Sequence, residues 1–244
     1  MKNFELISFA SAGELAQAAA GAWLDEIESA NRAGKSHCVA LSGGRIAQKF
    51  FTSTVKYAKA RKISFGRVHF FWADERCVPP DDVESNFRLA KELLFAPLKI
   101  SEAQVNHIHG GNSPEAAAKT ASAEISKIVP LNAAGQPVLD LIFLGMGEDG
   151  HVASLFPNAS VEIVNNAKPF LAVENSPKPP FRRISMSYAI IAAAKQVWIL
   201  ASGADKEAAL RESLEPDGHT PLARVIHLRP HTKIFTDIRL GWGL

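Results

Sequence analysis

The run DLIFLGM, Asp140 to Met146, constrains this chain more than any other segment. It is a continuous apolar stretch that stops at a glycine-rich turn, GEDGHVASLFP. Such a run fits a strand at the centre of a parallel sheet, buried on both faces by helices. Two earlier runs share the pattern. His37 to Leu41 ends at Ser42-Gly43-Gly44, and Val68 to Ala73 (VHFFWA) breaks into the polar, Pro-containing stretch DERCVPPDDVE.

Helical patterns fill the intervals. Ser11 with Glu14 forms a capping-box pattern, after which Leu15, Ala19, Trp23 and Ile27 recur at helical spacing until Gly34. Ile46, Phe50, Phe51, Val55 and Ala58 predict a second helix. Ser85 is placed to cap a third through Phe87, Leu89, Leu93 and Leu94. Ser113-Pro114 has the cap-plus-proline start of a helix reaching about Val129, and another covers Asp205 to Leu214. Further strands are expected at 105–109, Phe170 to Val173, Ile184 to Ser187, Val197 to Ala201 and Lys233 to Ile238.

This alternation predicts an α/β fold, a mostly parallel sheet with helices on both faces. The Pro/Lys-rich stretch SPKPPFRR (176–183) reads as a loop inside one domain spanning residues 1–244, because strand patterns resume at once. Nearly half the residues are hydrophobic, enough for a sizeable core without staples. A formal charge of +2 with no dense Lys/Arg run argues against a nucleic-acid or membrane partner. Cys38 and Cys77 cannot build a disulfide framework and lack metal-type spacing. The N-terminus has no signal-type apolar stretch, and no run approaches the roughly 18 apolar residues of a spanning helix, so a cytoplasmic protein is expected.

In open α/β sheets, ligands bind beyond the carboxyl ends of the strands. Three polar turns here follow strand runs, and simple topology puts all three at the same sheet edge. LSGGR offers glycines that let backbone N–H groups approach an anion at a helix start, with Arg45 adding charge; a plain tight turn reads equally well. In the second turn, Asp74 is suited to a substrate proton or hydroxyl and Arg76 to an oxyanion, unless the two acids and the base only form a salt bridge that orders the loop. The third turn is the most informative. Gly145, Gly147 and Gly150 surround Asp149 and present His151, whose imidazole suits general-base work near neutral pH. His107 and His109 share a strand face, but a metal site needs more ligands than the sequence offers. Lys206 stands near a helix start, either as a solvated lysine or as a phosphate ligand with the helix N-terminus.

At these residues the chain resembles the 6-phosphogluconolactonase family, related to the glucosamine-6-phosphate deaminases. The matching pieces are LSGG (41–44), DERCVP with Ser85-Asn86, DLIFLGMGEDGHVASLFP (140–157), RISMS (183–187), SGADK (202–206) and FTD (235–237), in family order over almost the full length. The resemblance implies a Rossmann-like fold and hydrolysis of 6-phospho-D-glucono-1,5-lactone to 6-phosphogluconate, the second step of the oxidative pentose phosphate pathway. It implies no metal and no organic cofactor. On it, His151 activates water, Asp149 and the backbone around Gly147 orient the base and substrate, and Asp74 and Arg76 line the sugar end. Ser42, Gly43, Gly44, Arg183 and Lys206 would bind phosphate.

The chain departs from the family where Arg45-Ile46-Ala47 replaces the usual Ser or Thr followed by Pro, removing a hydroxyl ligand that Arg45 would have to substitute. Against a deaminase, Ser154-Leu155-Phe156-Pro157 stands where deaminases usually read Phe-Asn-Glu-Pro, and Asp74-Glu75-Arg76 where they read Asp-Glu-Tyr. A non-catalytic sugar-phosphate sensor on the same fold would be expected to have lost His151, which is present.

Overall fold

The computed structural model describes residues 3–110 and 113–241. In chain order its strands are β1 (Phe4–Ser8), β2 (His37–Leu41), β3 (Val68–Trp72), β4 (Asp74–Arg76), β5 (Leu141–Gly145), β6 (Phe170–Val173), β7 (Arg183–Met186), β8 (Gln196–Ala201) and β9 (Thr232–Thr236). The helices are α1 (Ala12–Arg32), α2 (Arg45–Arg61), α3 (Asn86–Ala90), α4 (Ala96–Leu98), α5 (Pro114–Ile128), α6 (Val161–Val164), α7 (Tyr188–Ala193), α8 (Glu207–Leu214) and α9 (Pro221–His227).

Six strands form a parallel sheet in the order β1-β9-β8-β5-β2-β3, flanked by helices in a Rossmann-like arrangement. The run from Asp140 lies in its middle as β5, buried from Leu141 to Leu144. Phe143 shows why an all-apolar strand belongs there. Its ring packs 5.3 Å from Trp23 of α1, 4.6 Å from Phe50 of α2 and 5.6 Å from Trp198 of β8, so one side chain joins two helices and a neighbouring strand. At the strand's opposite end, Asp140 accepts from Cys38 N and from Lys195 Nζ, which fixes the register of β5 against β2.

The expected caps are in place. Ser11 accepts from Glu14 N, Ser85 from Arg88 N, and Ser113 from Ala116 N with Pro114 in the first turn. The Glu14 carboxylate reaches back to Ala10 N, one residue before the cap, so the box at Ser11 is shifted by one.

Four expectations need correction. Residues 105–109 form no strand: Val105 makes one isolated bridge to Phe70 and the chain then leaves the sheet. The polar stretch after Trp72 is not wholly loop, because Asp74–Arg76 pairs antiparallel with β7, which pairs antiparallel with β6. The strands at 170–173 and 183–186 therefore leave the main sheet and build a second, three-stranded one. Ala73 is the junction: its N–H donates to Leu41 O of the main sheet, and its carbonyl accepts from Met186 N of the small one. The helix expected from Asp205 starts at Glu207, after a 3₁₀ turn over Ala204–Lys206.

Candidate active site

Chain order turns back at β2 and β5: β3 lies on one side of that pair, while β8 and β9 lie on the other. Ligands of open α/β sheets bind at such a switch point. The turns after β2 and β5 meet there, joined by the turn after β8 and by the small sheet. Together they enclose a cavity of about 250 Å³ lined by Ser42, Gly43, Gly44, Arg45, Asp74, Arg76, Gly145, His151, Arg183 and Lys206. That volume lies at the small end of ligand pockets and suits a single sugar phosphate better than a dinucleotide. Five cationic side chains line it (Arg45, Lys49, Arg76, Arg183, Lys206) against one carboxylate, Asp74. The cavity is built for an anion.

The turn after β5 presents the histidine. Gly147 N donates to His151 O and Gly150 N to Gly147 O, which closes the turn on itself; Leu222 N at the start of α9 then anchors it through Gly150 O. Two glycines are obligatory here. Gly150 has φ +76 and faces Thr220, while a Cβ on Gly147 would collide with the His151 ring. Asp149 Oδ1 lies 2.5 Å from His151 Nδ1 and also accepts from His151 N at 3.2 Å. Burial alone would raise the Asp149 carboxyl, but the facing His151 and its two hydrogen bonds hold it below the usual carboxylate range. An ionised Asp149 fixes the proton on Nδ1, leaving Nε2, which has no hydrogen-bond partner among the described residues, as the basic nitrogen. The side chain of His151 is 20% exposed, within reach of the cavity and of water.

The glycine loop after β2 is different from its simplest reading. Ser42 Oγ donates to Phe143 O at 2.8 Å, so its hydroxyl ties the loop to β5. Gly43 lies against Asn86, where any Cβ would overlap the amide. Gly44, at φ +94, is the N-cap of α2 and supplies no side-chain cap, so the first N–H groups of that helix are left for a ligand or water. Arg45 is 79% exposed and pairs with Asp205 Oδ2 at 2.9 Å, bridging the turns after β2 and β8 across the rim.

Asp74, Arg76 and Arg183 come from the small sheet, where Arg76 and Arg183 are direct cross-strand partners. Asp74 is buried and accepts from Ser154 Oγ at 2.7 Å, while Asn86 Nδ2 donates to its carbonyl at 2.9 Å. Arg76 Nη1 donates to the backbone and carboxylate of Glu84, so the loop-ordering salt bridge exists alongside a cavity-lining position. Arg183 is buried, with Nε and Nη2 donating to Pro180 O and Lys178 O. Burial, then the charge of Arg76, pulls its guanidinium below the ordinary value, a strain that a bound anion would relieve. Burial likewise lowers the Lys206 ammonium, which has no ion pair or hydrogen bond among the described residues.

Several lining residues are not among those singled out from the sequence. Lys49 stands one helical turn after Arg45 on the same face, a signal that was legible. Asn86 follows the Ser85 cap but reaches the cavity only because Glu75 pins it there. The Glu75 carboxylate is 1% exposed and accepts from the N–H groups of Arg76, Asn86 and Phe87 and from Ser85 Oγ. Burial pushes it up to about 7 against the pull of those donors. Ser202 and Gly203 are held by Asp237, which accepts from Ser202 Oγ and Gly203 N. This is the structural use of the closing FTD. His107 and His109 line a different cavity beside Phe87, their rings 4.6 Å apart, and no third metal-type side chain joins them among the described residues. No helix among the described residues is long and apolar enough to cross a membrane.

Comparison with known proteins agrees with this geometry. The 6-phosphogluconolactonase of Treponema pallidum is 34% identical over 185 residues, 75% of each chain. That of Streptomyces coelicolor is 33% identical over 210 residues, 84% of this chain and 80% of its own. The solved 6-phosphogluconolactonase of Trypanosoma brucei superposes with a TM-score of 0.85 at 25% identity, over 97% of both chains. A profile described as Glucosamine-6-phosphate isomerases/6-phosphogluconolactonase matches residues 10–235, and to that family this chain belongs.

Proposed function

We propose that the chain is a 6-phosphogluconolactonase that hydrolyses 6-phospho-D-glucono-1,5-lactone to 6-phospho-D-gluconate in the pentose phosphate pathway, with His151 as general base. One observation carries the reading: a histidine with Nδ1 held by Asp149, and Nε2 without a partner among the described residues, faces a small cavity lined by five cations. Its relatives named for this activity support it.

In the proposed reaction, Nε2 takes a proton from water as the oxygen attacks the lactone carbonyl, forming a tetrahedral oxyanion. Collapse breaks the bond to the ring oxygen, which takes the proton back from the imidazolium; the new acid then ionises. Asp149 stabilises the imidazolium that forms between these steps, and such a base typically contributes about two to four orders of magnitude. The α2 N-terminus at Gly43-Gly44, with Lys206 and Arg183, binds the phosphate. Ser42 supports that loop rather than donating to the ligand, because its hydroxyl is engaged by Phe143 O. Asp74 and Arg76 face the sugar hydroxyls and the carbonyl, and Arg45 closes the rim through Asp205.

The deaminase activity carried by other family members is disfavoured by the histidine's surroundings. Phe156 packs on His151, and among the described residues the carboxylate paired with it is Asp149. The test follows acid release from freshly prepared 6-phosphogluconolactone, corrected for spontaneous hydrolysis, beside glucosamine 6-phosphate. The wild type accelerates the first reaction only, and His151→Asn keeps the fold while losing most of kcat. A wild type at background rate removes the function, and near-normal turnover by His151→Asn removes the base.

A further inference from the structure

Phe156 does not line the cavity, yet it touches both halves of the proposed chemistry. Its ring lies 4.7 Å from the His151 imidazole, centroid to centroid, tilted by 47°. The guanidinium carbon of Arg183 stands 5.5 Å over the same ring. Phe156 is 9% exposed, and the backbone leading to it is held at several points. Ala153 adopts φ +50, a conformation uncommon for alanine, which turns the chain. Ser154 then donates through Oγ to Asp74 and through its N–H to Ser185 Oγ. A ring fixed in this way cannot drift without disturbing its neighbours.

We propose that Phe156 is a positioning residue that holds the His151 imidazole and the Arg183 guanidinium in one fixed relation and keeps the cation off the base. This rests on the reading of His151 as base and Arg183 as anion ligand. Arg183 is already tethered by carbonyls through Nε and Nη2, and its Nη1 has no partner among the described residues. A guanidinium in direct contact with an imidazole opposes the proton uptake that general-base catalysis requires. The Phe156 ring, in contact with both, presents its electron-rich face to the cation and an apolar surface to the imidazole. It therefore orients Arg183 without bringing its charge against His151. Among the described residues, no other aromatic ring contacts both groups.

The test replaces Phe156 with Tyr, with Leu and with 3,4,5-trifluorophenylalanine in the full chain, measuring kcat, KM and Tm with the phosphogluconolactone. Tyr keeps the ring and should stay within about threefold of wild type. Leu should lower kcat and raise KM together, with kcat/KM falling about tenfold or more, since misplacement of about 1 Å already costs more than that. The trifluorinated ring keeps the shape and the Tm but has lost its electron-rich face, so KM should rise about threefold with kcat nearly unchanged. In an Arg183→Gln background, which removes the cation, the fluorinated ring should raise KM less than it does alone.

Wild-type kinetics in the Leu variant overturns the proposal, as does a Tyr variant as poor as Leu. If Leu fails to fold, the fluorinated protein decides: an unchanged KM, or an effect of equal size with Arg183→Gln, also overturns it. Failure of the underlying function looks different, because the wild type would then show no lactone hydrolysis or His151→Asn would remain active.

Discussion

Replacing Gly147 with alanine separates placement of the base from its chemistry. Gly147 lies outside the left-handed region, so alanine meets no backbone penalty there. The obstacle is the His151 ring. An alanine Cβ would overlap Nδ1 and Cε1 of the imidazole and stand 2.7 Å from Asp149 Oδ1. To reach even a tight 3.0 Å contact, the ring must retreat by about 1 Å, and its 2.5 Å bond to Asp149 cannot survive that shift. Misplacement of about 1 Å costs on the order of 10²-fold in rate, or about 2.7 kcal/mol in the barrier. The stability cost is smaller. The Asp149 side chain is 40% exposed, so losing the pair should cost at most about 1 kcal/mol and lower Tm by about 2–4 °C for a chain this long. KM should hold, because the proposed phosphate ligands stand on other loops. Lactone hydrolysis gives kcat and KM, and thermal unfolding gives Tm. A kcat within about threefold of wild type would refute the argument that the close fit of Gly147 to His151 places Nε2.

Other outcomes follow from single contacts. Lys206→Ala should raise KM about tenfold with kcat nearly unchanged, since a half-buried ammonium without an ion pair is available to phosphate; an unchanged KM assigns it to the rim. Arg45→Ala should raise KM less, and leave Tm within about 1 °C because its pair with Asp205 is exposed; a KM increase above that of Lys206→Ala reverses the ranking. Ser154→Ala leaves buried Asp74 one donor short and should destabilise by about 1–3 kcal/mol, read by denaturant unfolding; an unchanged midpoint means that Asp74 is solvated there. For Glu75 the folded pKa is raised by burial to about 7, above its unfolded value near 4.5. The folded chain therefore holds this proton more tightly, and stability from this group is present below about pH 4.5 and lost as pH rises towards about 7. The stability of Glu75→Gln relative to wild type should improve across that window by up to about 3 kcal/mol; a pH-independent difference would show that the carboxyl is not raised.

Much of this fold was readable because its central strands are apolar on both faces. The boundaries expected for β2 held, as did those of β3 and β5 to within a residue or so. What could not be read is which sheet a strand joins. Phe170–Val173 and Arg183–Met186 look like any other strands locally, and only their antiparallel partners remove them from the main sheet. Asp74–Arg76 is harder still. Three charged residues have no strand preference of their own, and pairing with β7 imposes it. The opposite error at 105–109 shows the same limit, since Val105 bridges Phe70 and Asn106 N donates to Phe70 O, and there the pairing with β3 stops. In the site, the meeting of the turns after β2 and β5 followed from strand direction, whereas Asp74 and Arg76 reach the same cavity as a strand of the small sheet. The place of Asn86 did not follow either, because it depends on a buried carboxylate, Glu75, that the sequence displays as one more loop acid.

The small sheet has a consequence for how such an enzyme can diversify. The histidine and its aspartate sit on a turn of the main sheet, whereas Asp74, Arg76 and Arg183 ride on the three-stranded one. The proposed base and the glycine-loop and Lys206 part of the proposed phosphate site thus stand on one scaffold, and Asp74, Arg76 and Arg183 on another, with Ala73 and the Ser154 contacts among the links between them. Substitutions in β4 or β7 would change the shape and charge of the cavity while the proposed base stays where Gly147 and Asp149 hold it. New substrates can therefore be explored along one sheet without dismantling the reaction on the other.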